Sequence, residues 1–445
     1  MTRVHRIIAL LLAVTFAAAA VPAAWAQAPQ PAPRELTLAQ ALTLAAQQNH
    51  QLRVAAYEVS IARSQLAQAR AGGAPQVSVQ GSYTRTKEAG PTTVSIAGMT
   101  VEIPAASPNL YNLGLALQYP LYTGGRLDAQ IALAEANVKG AEAALARVTQ
   151  QVIFGVRQAY YQLLLAQAGS EVADRSAAQA AENLRVAQAR VAAGASPRFD
   201  EVQAQVAVAQ ARQSQVRARN GIAQAAQGLN ALVNLPLTTP LRLRDALAVR
   251  PVGPAVDALI ARALEVRPEF AELRARQAAA QAGIALAESG ARPAVALNGA
   301  AGYGNTNALF GSGASTSWSV TLAATLNLYD GGLTRERVAE ARQRLEQLRA
   351  LEAQQRQAVE LEVRQAFLNL QSAAEELAGA DAVVTQAAEA LRIANVRFES
   401  GVGTNLEVLT AQTTASQAEL GRAQALFTYT LARASLEHAV GADVP

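Results

Sequence analysis

Leu121-Tyr122-Thr123-Gly124-Gly125 returns as Leu328-Tyr329-Asp330-Gly331-Gly332, 329 − 122 = 207 residues later. Each motif closes a run of alternating apolar and polar residues and opens a long stretch with helical spacing. The same offset carries Val156-Arg157-Gln158-Ala159-Tyr160 onto Val363-Arg364-Gln365-Ala366-Phe367, Gly194 onto Gly401, Asp200 onto Glu407 and Leu229 onto Leu436. Upstream the offset is 293 − 75 = 218, which maps Pro75, Val77 and Val79 onto Pro293, Val295 and Leu297. The difference, 218 − 207 = 11, is extra length between the two strands of the first copy. A period this long indicates tandem duplication of a whole architecture rather than a solenoid. Each half runs helix, strand pair, long helix, tip, helix. Gly124-Gly125 and Gly331-Gly332 are read as sharp strand-to-helix turns, which glycine permits, rather than as phosphate cradles.

The strand pairs span residues 75–122 and 293–329. Val77, Val79 and Tyr83 alternate with Ser78, Gln80 and Ser82; Tyr111, Leu113, Leu115, Leu117, Tyr119 and Leu121 alternate with Asn112, Gly114, Ala116 and Gln118. In the second pair Val295, Leu297, Ala301 and Tyr303 precede Trp318, Val320, Leu322, Leu326 and Leu328. Such alternation fits a half-buried soluble hairpin or an outer-membrane barrel strand, and each run has the roughly ten residues a tilted spanning strand needs. Tyr83, Tyr111, Tyr119, Tyr122, Tyr303 and Tyr329 are six of the ten tyrosines, and with Trp318 they suit an interfacial aromatic girdle. The membrane reading is therefore preferred. Four strands fall short of the smallest membrane barrels, which have about eight, and an open edge in lipid leaves backbone groups unpaired. Spanning thus requires an oligomer that shares one barrel.

The N-terminus agrees with this compartment. Arg3 and Arg6 precede an apolar run from Ile7 to Ala20, and Ala24-Trp25-Ala26 supplies an Ala-x-Ala site, so residues 1–26 read as a secretory signal peptide. Residues 27–35, rich in Pro, Gln and Ala, read as a flexible leader. The chain has no cysteine, which excludes disulfides, thiolate metal sites and a lipid-modified N-terminal cysteine. Its arginines are scattered among acids and glutamines, as on solvated helix faces, and imply no nucleic-acid partner. Three distant histidines, with no nucleophile elbow, Walker loop or ligand spacing, give no catalytic residue, no metal site and no cofactor.

The first repeat is placed at residues 36–233, a linker at 234–255 and the second repeat at 256–442. A capped helix from Thr37 to about Arg70 opens the first, with Asn49-His50 and its counterpart Pro268 as points of interruption. From Arg126 to Val191 no proline intervenes, and Ile131, Val138, Leu145 and Val152 recur at coiled-coil spacing. Sixty-six such residues make a rod of roughly 100 Å. The helical hairpins occupy residues 126–233 and 333–440. Gly194-Ala195-Ser196-Pro197 and Gly401-Val402-Gly403-Thr404 turn the two hairpins at tips far from the strands, with Pro197 expected in the first turn of the returning helix. Asp200, Glu201 and Glu407 follow in the first turns, where a helix dipole favours carboxylates. Repeated around an oligomer they would also make an acidic, cation-favouring pore mouth that resists closure.

The duplicated halves, Leu-Tyr-x-Gly-Gly before each rod, and Gly-Val-Gly-Thr-Asn-Leu-Glu-Val-Leu at residues 401–409 resemble the TolC-like outer-membrane efflux family over about residues 35–442. The resemblance implies a mixed α and β membrane protein: a homotrimer with one shared twelve-stranded β-barrel and a periplasmic α-helical tunnel. It implies a periplasmic adaptor (membrane fusion protein) and an inner-membrane pump of RND or ABC type. It also places Gly194, Ala195, Ser196, Pro197, Gly401, Val402, Gly403 and Thr404 at an adaptor-docking tip. Glu407 matches a constricting acid; a second acid three residues on is Thr410 here, and the family's aromatic hydroxyl and arginine lock meets Phe398 and Gly403. The expected function is a passive conduit for small molecules such as drugs, with type I protein secretion as the alternative cargo. An envelope-spanning structural oligomer and a soluble periplasmic coiled-coil binder are the readings from other classes.

Overall fold

The computed structural model describes residues 34–87, 92–96, 98–103, 109–245, 247, 249, 255–308 and 311–443. The expected signal peptide, residues 1–26, and residues 27–33 of the expected leader lie outside the described residues. In chain order the elements are β1 (Arg34–Leu36), α1 (Leu38–Gln48), α2 (His50–Ala71), β2 (Gln76–Arg85), β3 (Thr92–Ile96), β4 (Met99–Ile103) and β5 (Asn109–Tyr122). Then come α3 (Arg126–Ala192), α4 (Arg198–Leu232), β6 (Leu241–Leu243), α5 (Val256–Val266), α6 (Pro268–Glu288), β7 (Ala294–Ala308), β8 (Gly311–Thr325), α7 (Leu333–Glu399) and α8 (Asn405–Val440).

Local chemistry sets the helix ends. Thr37 and Gln40 form a reciprocal capping box at the start of α1. Asn49 breaks the first long helix as expected: its side chain caps α2 by accepting from the Gln51 and Leu52 amides, while its Nδ2 donates to the Leu232 carbonyl at 2.9 Å. At the corresponding break before Pro268, Arg267 donates to the Ala439 carbonyl at 3.1 Å and pairs with Glu362 and Glu269. Both breaks thus fasten the helix bend to the end of a returning helix, Leu232 of α4 in one case and Ala439 of α8 in the other.

The rods are α3 and α7, each of 67 residues, so each is about 100 Å long. Thr123 caps α3 through the Leu127 amide, and the Asp330 carboxylate caps α7 through the Gly332 and Thr334 amides. Along the rods α4 packs on α3, α3 on α8 and α8 on α7, so the hairpins lie side by side with α4 and α7 on the flanks. Toward the sheet the order is α2, α3, α6, α7. Two apolar cores sit at mid-rod. One gathers Val152, Val156, Leu163, Leu229 and Val233 with α1; the other gathers Val359, Val363, Leu370, Leu436 and Val440 with α5. Burying each such side chain is worth about 1.5–3 kcal/mol, which fixes the rods at this height.

Part of the expected leader is structured: Arg34 and Glu35 belong to β1, which pairs in parallel with β6 of the linker. The buried Tyr160 hydroxyl lies 3.1 Å from the Leu36 carbonyl oxygen and 2.8 Å from Asp245 Oδ2, so the rod itself holds leader and linker together.

The remaining strands form a four-stranded antiparallel sheet in the order β2-β5-β7-β8. β3 and β4 pair with each other in the connection between β2 and β5. Two details differ from the alternation read in the sequence. Between Pro120 and Tyr122 the register shifts, so Tyr122, not Leu121, meets Val295. Proline lacks a donor and is placed at such bulges. β8 ends at Thr325, whose partner Ala294 begins β7; Leu326, Leu328 and Tyr329 have no strand beside them and lie outside the sheet.

Candidate functional site

The sheet has two chemically distinct faces. Pairing aligns Val79 with Leu115, Leu115 with Ala301, and Ala301 with Trp318 on one face. Val77, Leu113, Tyr119, Leu297, Val320 and Leu322 extend that face, and its large side chains are mostly exposed, Trp318 to 80% and Val320 to 66%. The opposite face carries Ser78, Gln80, Asn112, Gln118, Asn298, Ser317, Ser319 and Thr321. It holds no charge. Exposed apolar area of this extent marks an interaction surface, and a lipid-facing band opposite a polar lumen is the barrel pattern.

The aromatic residues distribute along this band. Tyr83 pairs opposite Tyr111, and Tyr303 lies diagonally from Tyr111 with ring centroids 6.3 Å apart, all at the end far from the rods. Tyr119 and Tyr122 are at the rod end of β5. From Tyr111 to Tyr122 a strand rises about 36 Å, which at a tilt of about 40° spans about 28 Å, close to the apolar thickness of an outer-membrane barrel. Trp318 sits inside the band rather than at its edge, and Tyr329 lies beyond β8.

At the turns between sheet and rods, Gly124, Gly125, Gly331 and Gly332 all have positive φ, from 65° to 90°. At Gly124 a Cβ would also come within 2.9 Å of Arg292 Cβ, so both conformation and space exclude a side chain.

The hairpin tips are at the opposite end of the rods. Gly194 (φ 71°) and Gly401 (φ 80°) reverse the chain in left-handed conformation. Ala195 N donates to the Arg190 carbonyl, and Val402 N and Gly403 N both donate to the Arg397 carbonyl. A Cβ on Gly403 would lie 3.0 Å from Arg397 Cβ and from the Phe398 amide nitrogen, so the second tip closes on its own helix end. Ser196 is half-buried. Pro197 stands at the cap of α4 with extended backbone, one residue before the first turn where it was expected. Thr404 caps α8 by accepting from the Glu407 amide. Val402 is 71% exposed.

The expected carboxylates are all present in first turns but are not equivalent. Glu407 pairs with Arg397, Nε to Oε2 3.4 Å. Glu201 accepts from Gln188 and Gln205, and the Asp200 backbone carbonyl accepts from Asn405 Nδ2 at 3.4 Å. A ring of free charges is therefore an incomplete description, since Arg397 offsets Glu407 within the same tip.

Sequence reasoning missed the contact that joins the tips. Arg190, at the end of α3, lies with Cζ 4.1 Å above the Phe398 ring and donates from Nη2 to the Phe398 carbonyl at 2.8 Å. Above it the α3–α8 seam is polar: Asn183 donates to Gln412, Gln412 donates to Gln179, and Ser176 and Ser416 share a hydrogen bond of 2.7 Å. One signal was available, because Arg190 and Arg397 stand at the 207-residue offset, 397 − 190 = 207.

The chain matches the outer membrane efflux protein family over residues 41–235 and 259–442. It is 28% identical over 406 residues to protein CyaE of Bordetella pertussis, covering 89% of this chain and 82% of that protein. It is 27% identical over 385 residues to outer membrane protein OprJ of Pseudomonas aeruginosa, covering 83% and 76%. A solved membrane protein from Pseudomonas aeruginosa superimposes with a TM-score of 0.74 at 25% identity, covering 91% of this chain and 93% of that one.

Proposed function

The chain belongs to the outer membrane efflux protein family, and from that premise we propose that three copies form a passive export conduit, opened at its tips by a periplasmic adaptor and driven by an inner-membrane pump. It is a channel of the outer membrane with its helical barrel in the periplasm, and it is not an enzyme. One observation carries the proposal: a sheet with an exposed apolar face, an uncharged polar face and two edges that are unpaired among the described residues. β2 and β8 run in opposite directions at those edges, so β8 of one copy meets β2 of the next in the same antiparallel sense as every internal pair. Three copies then give twelve strands with no edge left in lipid, which removes the cost of unpaired backbone groups. The recurrence of the family match in two segments supports reading the chain as a tandem duplication, with both hairpins contributing to one tunnel wall.

The tips are the docking end. Their backbone turns are tight and their side chains small, which suits insertion against another helical hairpin. Small molecules such as drugs are the proposed cargo. The wall of the membrane section offers hydroxyl and amide groups without charge, so it passes solutes without sorting them by sign.

The test has two arms. Channel purified into planar bilayers is expected to conduct ions; absence of conductance would favour the structural oligomer. In living cells, a photoreactive residue at Val402 is expected to capture an adaptor; Val402 is chosen because Gly403 has no room for a side chain. Capture of an adaptor belonging to a protein exporter would move the cargo to polypeptides, and capture of neighbouring protomers alone would remove tip docking.

A further inference from the structure

Within β2, β5, β7 and β8 a single residue carries a charge at neutral pH: Arg85, the last residue of β2. β2 leaves the rods at Gln76, so Arg85 is at the far end of the sheet. It pairs opposite Asn109, two residues beyond the Tyr83–Tyr111 pair, and the period of two puts it on the apolar face with those tyrosines. Arg85 is exposed and forms no ion pair among the described residues, whereas arginines of the rods, such as Arg344 with Glu340, are typically paired. The end it occupies is held in place: Tyr83 Oη donates to Asn109 Oδ1 at 2.9 Å, and Asn305 donates to the Asn109 carbonyl while accepting from the Tyr111 amide. A guanidinium with no ion pair among the described residues, just above an aromatic rung and facing lipid, is at the height of the outer-leaflet headgroups. Guanidinium favours phosphate by charge and by bidentate geometry.

We infer that Arg85 is a lipid-binding residue that engages the phosphoryl groups of outer-leaflet lipid, once per protomer, and seats the barrel at a fixed depth. This rests on the membrane reading above. One basic side chain near an anionic lipid surface changes binding about fivefold. The experiment uses full-length channel, delipidated and titrated by native mass spectrometry with the phosphorylated glycolipid of its own outer membrane and with the same lipid after enzymatic dephosphorylation. Wild type is expected to prefer the phosphorylated form. Arg85→Ala is expected to lose about fivefold in affinity for that form alone, and Arg85→Lys, which keeps the charge without the bidentate fork, to fall between wild type and Arg85→Ala. Equal binding by wild type and Arg85→Ala, or binding indifferent to phosphorylation, would overturn the inference. The membrane reading fails separately, if wild type does not float with outer membranes.

Discussion

Tyr160 and Phe367 stand 207 residues apart and differ by one hydroxyl. In the fold that hydroxyl reaches Asp245 and the Leu36 carbonyl, and Asp245 Oδ2 also accepts from the Leu38 amide at 2.7 Å. Tyr160→Phe keeps the packing and removes the bond, so it should cost about 1–2 kcal/mol in denaturant unfolding of the purified channel. At the tip, Arg190→Ala removes both the ring contact and the bond to the Phe398 carbonyl. These are worth about 1 kcal/mol at a half-exposed site, so tryptic cleavage after Arg198 should rise about fivefold, with Phe398→Ala giving a smaller rise. His438 gives a pH dependence. It stacks on Phe154 at 4.9 Å, its Nδ1 is buried without a partner, and burial lowers its pKa below the ordinary value, with Arg267 adding to the shift while Glu362 and Glu269 oppose it. Below about pH 6.5 the unfolded chain takes up a proton that the folded chain resists, so His438 reduces stability as pH falls through that window. His438→Gln should flatten the fall in melting temperature as pH drops below about 6.5. None of these contacts was legible in the sequence. The offset aligned Tyr160 with Phe367 and Arg190 with Arg397, but side-chain partners 85 or more residues away depend on which elements lie side by side.

At the scale of elements, the strands were legible because their side chains alternate, and the rods because proline is absent and apolar residues recur every seven. The bulge at Leu121 and the end of β8 at Thr325 were not, because both are set by what the neighbouring strand offers. The short β1–β6 pair was hidden for the same reason: Arg34 and Glu35 of the leader with Leu36, and three residues of the linker, carry no periodicity, and Tyr160 supplies the bond that holds them. The two faces of the sheet lead to a paired prediction. Ser319 and Val320 are adjacent on β8 but point to opposite faces. Ser319→Asp should assemble normally and place three carboxylates in one lumen ring, which shifts the reversal potential in a salt gradient toward cation selectivity. Val320→Asp puts the same charge toward lipid, at a cost of up to a few kcal/mol, and should lower the yield of folded channel in outer-membrane fractions. If Ser319→Asp conducted with unchanged selectivity, the polar face would not be the pore wall.

At the scale of the whole molecule, function is a matter of reach. The sheet and the tips are separated by rods about 100 Å long, and the breaks at Asn49 and Arg267 fall in the shorter helices that pack beside the middle of those rods. The tips meet because both rods have the same length. Removing one heptad at matching heights from α3, α4, α7 and α8 would keep each coiled-coil face in register while drawing both tips back by about 10 Å. Such a channel should insert and conduct in bilayers like wild type, yet fail to restore drug tolerance to cells lacking the native conduit, because the proposed docking of adaptor hairpins at the tips depends on this reach. Removing the heptad from α3 and α4 alone is a different lesion. It separates Arg190 from Phe398 and offsets the Asn183–Gln412–Gln179 ladder, so the tips no longer close on each other. That variant should show raised conductance without adaptor as well as lost efflux, and the contrast between the two deletions distinguishes the length of the conduit from the integrity of its tip.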